Sequence, residues 1–356
     1  MKIEIAIHGS YYARNFGDTL IISIIVDWVK EIYPDSTINL PFCSLDEEAK
    51  EIMGSNKYII DPTLKNSKVL IFGPGGYFGQ PNFSFLRTNH WFYRNYKRHL
   101  CWNNRLFAKD IPYFIIGTGV GPLTNIFFRN KVRKLFSRAK LVAVRDITSF
   151  NYLKQWNVDM SNIKLTSDVA LSVENSKINN KSKGLLGLHF PGTTLNNYNK
   201  SDLFFKFLKI LSNDFKIVII EDGPGQYHTK DEKSIYNKIR QSNELKVDVL
   251  EYNNPKILIE NLAKLDYIIT SKLHVGILGY ALKKQVLSIP LHQKTVRFYK
   301  QVKRENFCLN VDSISLNTLL ETFDLLKSTP VTENIMFEVS IKTKFLLQNS
   351  IKKYVN

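Results

Sequence analysis

The chain has 356 residues, a length that divides naturally into two domains. Hydrophobic residues make up 44%, enough to bury a sizeable core and to exclude an intrinsically disordered chain. Three scattered cysteines (Cys43, Cys101, Cys308) exclude a disulfide framework and a thiolate zinc site and point to a reducing compartment. No apolar run approaches the roughly 18 residues of a membrane span, and the N-terminus is too quickly interrupted for a signal peptide, so a cytoplasmic protein is expected. A net charge of +17 favours an anionic partner: nucleic acid, an acidic membrane face or a phosphorylated substrate. With no run of five or six like charges, that excess reads as spread along the chain.

Lys2–His8 is expected as a buried first strand and Asp18–Tyr33 as a helix. Ser44-Leu45-Asp46-Glu47 is a capping box opening another helix. Val69–Gly73, Tyr113–Gly117 and Leu141–Val144 are short apolar runs, each entering a turn and then a helical pattern. Such alternation is that of a parallel sheet covered on both faces. Residues 174–183, with one apolar side chain, read as a linker. The rhythm restarts with strands Gly184–His189, Ile217–Glu221, Val247–Leu250, Tyr267–Thr270 and Val286–Ile289. Helices Lys200–Ser212, Lys230–Gln241, Pro255–Lys264, Ser315–Lys327 and Val331–Tyr354 accompany them. The fold class is α/β: two doubly wound, Rossmann-like domains facing a cleft, with C-terminal helices. Their expected bounds are 1–174 and 184–330, with 331–356 as a terminal helix.

Ligands of such sheets lie beyond the carboxyl ends of the strands, which directs attention to the turns there. Asn15-Phe16-Gly17-Asp18 opens a helix, where Gly17 lets a ligand near the backbone and Asp18 is either an N-cap or a catalytic or sugar-binding acid. Gly73-Pro74-Gly75-Gly76 and Gly117-Thr118-Gly119-Val120-Gly121-Pro122 match neither the dinucleotide fingerprint nor a P-loop. Together they suggest backbone crowding around a cleft. Arg145, in Val144-Arg145-Asp146, either clamps an anion or pairs with a nearby acid, and Asp168 either orients a basic residue or caps a turn. In Thr270-Ser271-Lys272-Leu273-His274 an ammonium and an imidazole share the N-terminus of an apolar helix, a good anion site with a proton donor attached. His292, Lys294 and Arg297 add donors after the next strand, and Glu221-Asp222 ends another. Phe83–Phe107 interleaves aromatic and basic residues; an amphipathic helix with Phe85, Phe92, Tyr96 and Leu100 toward the core is the favoured reading. It carries no nucleic-acid signature, and no His/Asp/Glu cluster has metal-ligand spacing.

In order, Asn15–Asp18, Gly73–Gly76, Gly117–Pro122, Val144–Asp146, Asp168-Val169-Ala170-Leu171 and Ser271–His274 resemble the polysaccharide pyruvyl transferase family over about residues 10 to 295. That resemblance implies a GT-B-like fold and transfer of pyruvate from phosphoenolpyruvate to a sugar as a ketal. It implies His274 and Asp18 as catalytic residues. Lys272, Arg145, Lys294, Arg297, Asn15, Gly17, Gly75, Gly76, Gly119 and Gly121 would bind substrate. The first domain would take the acceptor and the second the donor. No metal and no cofactor beyond phosphoenolpyruvate is expected, and no nucleic acid. The acceptor would be a sugar or lipid-linked oligosaccharide, with peripheral contact at an anionic membrane face. One departure stands out: Lys272 occupies the place of the family's usual Arg, keeping the charge but losing the planar fork. Two alternatives accompany this reading: a nucleotide-sugar glycosyltransferase using Glu221 and Asp222, and a non-catalytic binder of acidic glycan or nucleic acid using Phe83–Phe107.

Overall fold

Strands that are apolar on both faces belong in parallel sheets covered by helices on either side, and the chain builds two of them. A computed structural model describes residues 3–10, 15–43, 46–73, 75–80, 85–101, 103–174, 184–190, 195, 199–223, 225–228, 230–231 and 233–355. The first sheet holds β1 (Glu4–His8), β2 (Thr37–Asn39), β3 (Tyr58–Ile59), β4 (Ser67–Phe72), β5 (Tyr113–Thr118), β6 (Leu141–Val144) and β7 (Ile163–Leu165). Their spatial order is β3-β2-β1-β4-β5-β6-β7. The second sheet holds β8 (Leu185–His189), β9 (Lys216–Ile220), β10 (Val247–Leu250), β11 (Tyr267–Thr270) and β12 (Gln285–Ser288), ordered β10-β9-β8-β11-β12. All pairings between these strands are parallel.

In each sheet the chain reverses its direction of travel once, between β1 and β4 and between β8 and β11. A crevice opens at such a switch point, because the connections on either side leave toward opposite faces. Helix starts are set by side-chain caps: Asn125, Asp146 and Asn254 accept from the N–H groups of Phe128, Ser149 and Ile257.

Two compact units result. One comprises Met1–Val169 with Glu338–Asn356, the other Ala170–Phe337. The terminal helix Phe337–Val355 is thus part of the first unit rather than a separate element after residue 330. Ser340 donates to the carbonyls of Asp168 (3.2 Å) and Val169 (3.3 Å), and Gln348 donates to that of Trp28 (2.9 Å).

Several expected boundaries move. The first helix is Phe16–Ile32, so its N-cap is Asn15 and Asp18 lies in its first turn. β2, β3 and β7 were not expected; at two or three residues each, they are too short to show a period. Lys230–Gln241 narrows to Ile235–Ser242, Val331–Tyr354 starts only at Phe337, and residues 294 and 297 lie on the helix Gln293–Gln301 rather than in a turn. Ser44-Leu45 of the capping box, Pro74, Trp102, Pro224 and linker residues 175–183 lie outside the described residues.

Candidate active site

In the second unit the polar residues gather at the switch point. The helix Leu273–Ala281 is buried throughout. Two glycines let it pack closely: a Cβ at Gly279 would come within 2.7 Å of Val286 Cγ2 on the sheet, and one at Gly276 within 3.0 Å of the Tyr299 hydroxyl on the helix Gln293–Gln301. That seating delivers the helix N-terminus, capped by Lys272 with His274 in the first turn, to the carboxyl ends of β8 and β11.

Lys272 is held from behind. Its Nζ lies 2.7 Å from Oδ2 of Asp222, whose other oxygen is 3.2 Å from His189 Nε2. Thr270 completes the frame: its hydroxyl oxygen accepts from the Lys272 N–H (3.0 Å) and lies 3.1 Å from His189 Nδ1. Burial alone would push the Asp222 carboxyl up; the charges and hydrogen bonds of His189 and Lys272 outweigh it and hold the group well below the usual carboxylate range. The result is a buried anion paired with a cation that keeps 30% exposure beside a helix N-terminus. Lys294 and Arg297, three residues apart on one helix face, follow the adjacent strand β12. Glu221 and Asp222 are both engaged internally, since Glu221 accepts from the Tyr227 N–H at 2.6 Å.

The first unit places Asn15, Gly17, Asp18, Gly75 and Gly76 at its own switch point, after β1 and β4. The Asn15 side-chain amide donates to Asp18 Oδ2 at 2.8 Å. Beneath the glycine turn lies a group that sequence reading passed over. His8, ending β1, bonds His99 (Nε2 to Nδ1, 2.9 Å), Tyr77 stacks on His99 at 4.2 Å, and the Tyr77 hydroxyl donates to the Gly73 carbonyl. Burial pushes His8 down to about 3 and, with the His8 charge adding to it, holds His99 well below its ordinary value. Burial, then the nearby charge of Asp18, raises Tyr77 well above its own.

Arg145 lies elsewhere, after β6 and two strands from the switch. Its Nη1 is 3.1 Å from Asp168 and its Nε 3.8 Å from Asp146. A Cβ at Gly119 would lie 3.0 Å from the guanidinium, so the arginine packs closely over this glycine. Gly121 has a left-handed φ of 72° and its carbonyl packs against Gly79, making it a turn residue. Lone histidines at strand ends gave little signal; pairing strand ends in parallel register would have joined His189 to Thr270.

Two parallel doubly wound units define a GT-B-like fold, and solved structures share it. UDP-GlcNAc 2-epimerase from Methanocaldococcus jannaschii, bound to UDP-GlcNAc and UDP, is 13% identical, with a TM-score of 0.61 over 98% of this chain and 100% of that one. The Neisseria meningitidis enzyme bound to UDP-GlcNAc is 12% identical, with a TM-score of 0.63 over 99% and 100%. A Rickettsia africae glycosyltransferase is 12% identical, with a TM-score of 0.52 over 100% and 94%. A search of the curated proteins gives no match. The chain belongs to the polysaccharide pyruvyl transferase family, whose model matches residues 15–293, and it is a transferase.

Proposed function

We propose that the protein transfers pyruvate from phosphoenolpyruvate to a sugar of a surface-polysaccharide precursor, in the cytoplasm and without a further cofactor. The observation that carries this reading is Lys272 fixed by buried Asp222 at the helix N-terminus that also holds His274, in a member of this family. Phosphoenolpyruvate concentrates a phosphate and a carboxylate in a small volume, so it suits an ammonium, N–H groups and the nearby Lys294 and Arg297. A lysine is a point charge without a fork, and its buried carboxylate supplies the orientation that an arginine would derive from its plane.

Chemically, a proton delivered to the methylene carbon leaves an oxocarbenium-like centre bearing methyl, carboxylate and phosphate. One sugar hydroxyl adds there and loses its proton; phosphate then departs with its C–O bond. A second hydroxyl adds and loses its proton, closing the ketal. His274 is the proposed acid or phosphate ligand in the second unit, and Asp18 the proposed base in the first, on the acceptor side. The glycosyltransferase alternative is weakened because both carboxylates that would serve a ribose, Glu221 and Asp222, already have partners within the unit.

A thermal-shift titration with phosphoenolpyruvate, beside UDP-, GDP- and CMP-sugars, tests the donor. Ligand at about a hundred times its Kd stabilises by about 2.7 kcal/mol, a shift of several degrees. The expected result is a shift with phosphoenolpyruvate alone, reduced in His274→Ala. A shift with one nucleotide sugar and none with phosphoenolpyruvate overturns the proposal.

A further inference from the structure

The positive charge is unevenly placed, contrary to the even spread that the lack of long basic runs suggested. From Pro62 to Arg145 the sequence has fifteen Lys and Arg and a single acid, Asp110: a net +14 out of the chain's +17. Two helical stretches carry much of it, Phe85–Asn95 with its π-helical continuation Tyr96–Leu100, and Ile126–Arg138.

These stretches form one layer of the first unit. The rings of Trp91 and Phe92 lie 5.7 and 5.3 Å from that of Phe128. The segments entering them are strapped together at Gln80. Its N–H donates to the Pro122 carbonyl (2.9 Å), and its Oε1 accepts from the Thr124 N–H (2.7 Å) and hydroxyl (3.0 Å). Tyr96, expected in the core, is exposed, whereas Phe92 and Leu100 are buried as expected.

Both stretches have an outward stripe at helical spacing that starts apolar and turns basic. One runs Leu86, His90, Tyr93, Lys97; the other runs Phe127, Lys131, Lys134, Arg138; all eight side chains are exposed. Leu86 at 78% and Phe127 at 80% are the most exposed large hydrophobic residues among those described, and Ile126 beside Phe127 is exposed too. Lys97 lies over the Tyr93 ring at 4.6 Å, and Lys134 and Arg138 over that of Phe107 at 5.5 and 4.4 Å.

We propose that this face docks the protein on an anionic phospholipid surface. Leu86, Ile126 and Phe127 enter the boundary between headgroups and acyl chains, while Arg87, Arg94, Lys97 and Lys131 meet the lipid phosphates. Charge complementarity selects this occupant. A second copy of the chain docked through the same face would set Arg87, Arg94, Lys97 and Lys131 against their own counterparts. A nucleic acid matches the charge but offers no hydrocarbon to Leu86. Contact is peripheral, since no helix among the described residues is long and apolar enough to cross a membrane. The proposal is independent of the donor's identity.

Vesicle co-sedimentation of the full chain tests it. Vesicles containing about 30% phosphatidylglycerol should bind the protein at least about tenfold more tightly than pure phosphatidylcholine, with the preference falling as salt rises. Leu86→Ser with Phe127→Ser should weaken binding to anionic vesicles about tenfold while leaving the thermal midpoint unmoved, because both side chains are already in water. Equal binding to neutral vesicles overturns the proposal, as does a double variant that binds like wild type, which would mean charge alone. A single-stranded oligonucleotide that binds where anionic vesicles do not would assign the face to nucleic acid. A dimer in solution that the double variant dissolves would assign it to a second copy.

Discussion

Arg145 and Lys272 make the same kind of contact in different surroundings. Each follows a parallel strand, and each meets a buried carboxylate, Asp168 at 3.1 Å and Asp222 at 2.7 Å. Arg145 stands two strands from its switch point and lies across Gly119, with two acids sharing its guanidinium. Lys272 stands at the switch point itself, where a single carboxylate pairs with it and its side chain keeps 30% exposure. The pairs teach that the number of carboxylates around a strand-end cation, and its place relative to the switch point, differ between the two units.

The sharpest way to break that comparison is to remove each support. Asp222→Ala leaves a buried histidine and a lysine without their anion and should cost about 3–5 kcal/mol, abolishing the response to phosphoenolpyruvate as well. Arg145→Ala should cost about 2 kcal/mol and leave that response intact. Urea unfolding separates the units, because all four tryptophans (Trp28, Trp91, Trp102, Trp156) fall in the first and report it alone. Fluorescence should follow the Arg145 variant, and far-ultraviolet dichroism the Asp222 variant. An Arg145→Ala protein of normal stability that no longer responds to phosphoenolpyruvate would make Arg145 the ligand and collapse the distinction.

Legibility in the sequence divides along the same line. Lys272 and His274 stood out because a strand, a polar turn and an apolar helix follow one another directly, so their neighbourhood is local. Asp222, the partner of Lys272, is 50 residues back, and His189, which pairs with Asp222 in turn, is 83 back; only the strand order β9-β8-β11 brings the three together. For Arg145 the alternatives of ligand and ion pair stayed open for that reason; Asp168 enters across the neighbouring strand β7 and its following turn. The two-sheet architecture was readable from long apolar runs. β3, two half-buried residues at a sheet edge, has no such run to read.

Acid offers a second way to separate the units. An unfolded histidine titrates near 6.5, whereas native His8 resists protonation down to about 3. Between those values the unfolded chain binds a proton that the native one does not. As pH falls through that window, His8 therefore lowers first-unit stability by up to about 1.4 kcal/mol per pH unit, and the lowered His99 acts in the same direction. Asp222 behaves otherwise: its contribution is full above the unfolded value of about 3.9 and is lost only as pH falls toward its depressed native value. Tryptophan fluorescence should report acid unfolding of the first unit before dichroism reports loss of the second. Replacing both His8 and His99 by Leu should flatten the slope between pH 6 and 4.5; an unchanged slope would show that other groups set it.

The smallest expected effect tests how the second site is seated. An alanine in place of Gly279 gains helix propensity, about 1 kcal/mol. Its Cβ, however, would approach Val286 Cγ2 at 2.7 Å and Ile268 Cδ1 at 2.9 Å, both on strands paired in the sheet. Those methyls cannot both withdraw, so the helix must rise, and overpacking of this kind costs about 1–3 kcal/mol. The balance is a net loss of about 1 kcal/mol, readable as a lower urea midpoint in the dichroism. Lifting the helix also draws Lys272 away from Asp222, so affinity for phosphoenolpyruvate should fall by more than stability does. If stability drops while affinity holds, the Lys272–Asp222 contact tolerates movement and the helix seat is a packing feature alone.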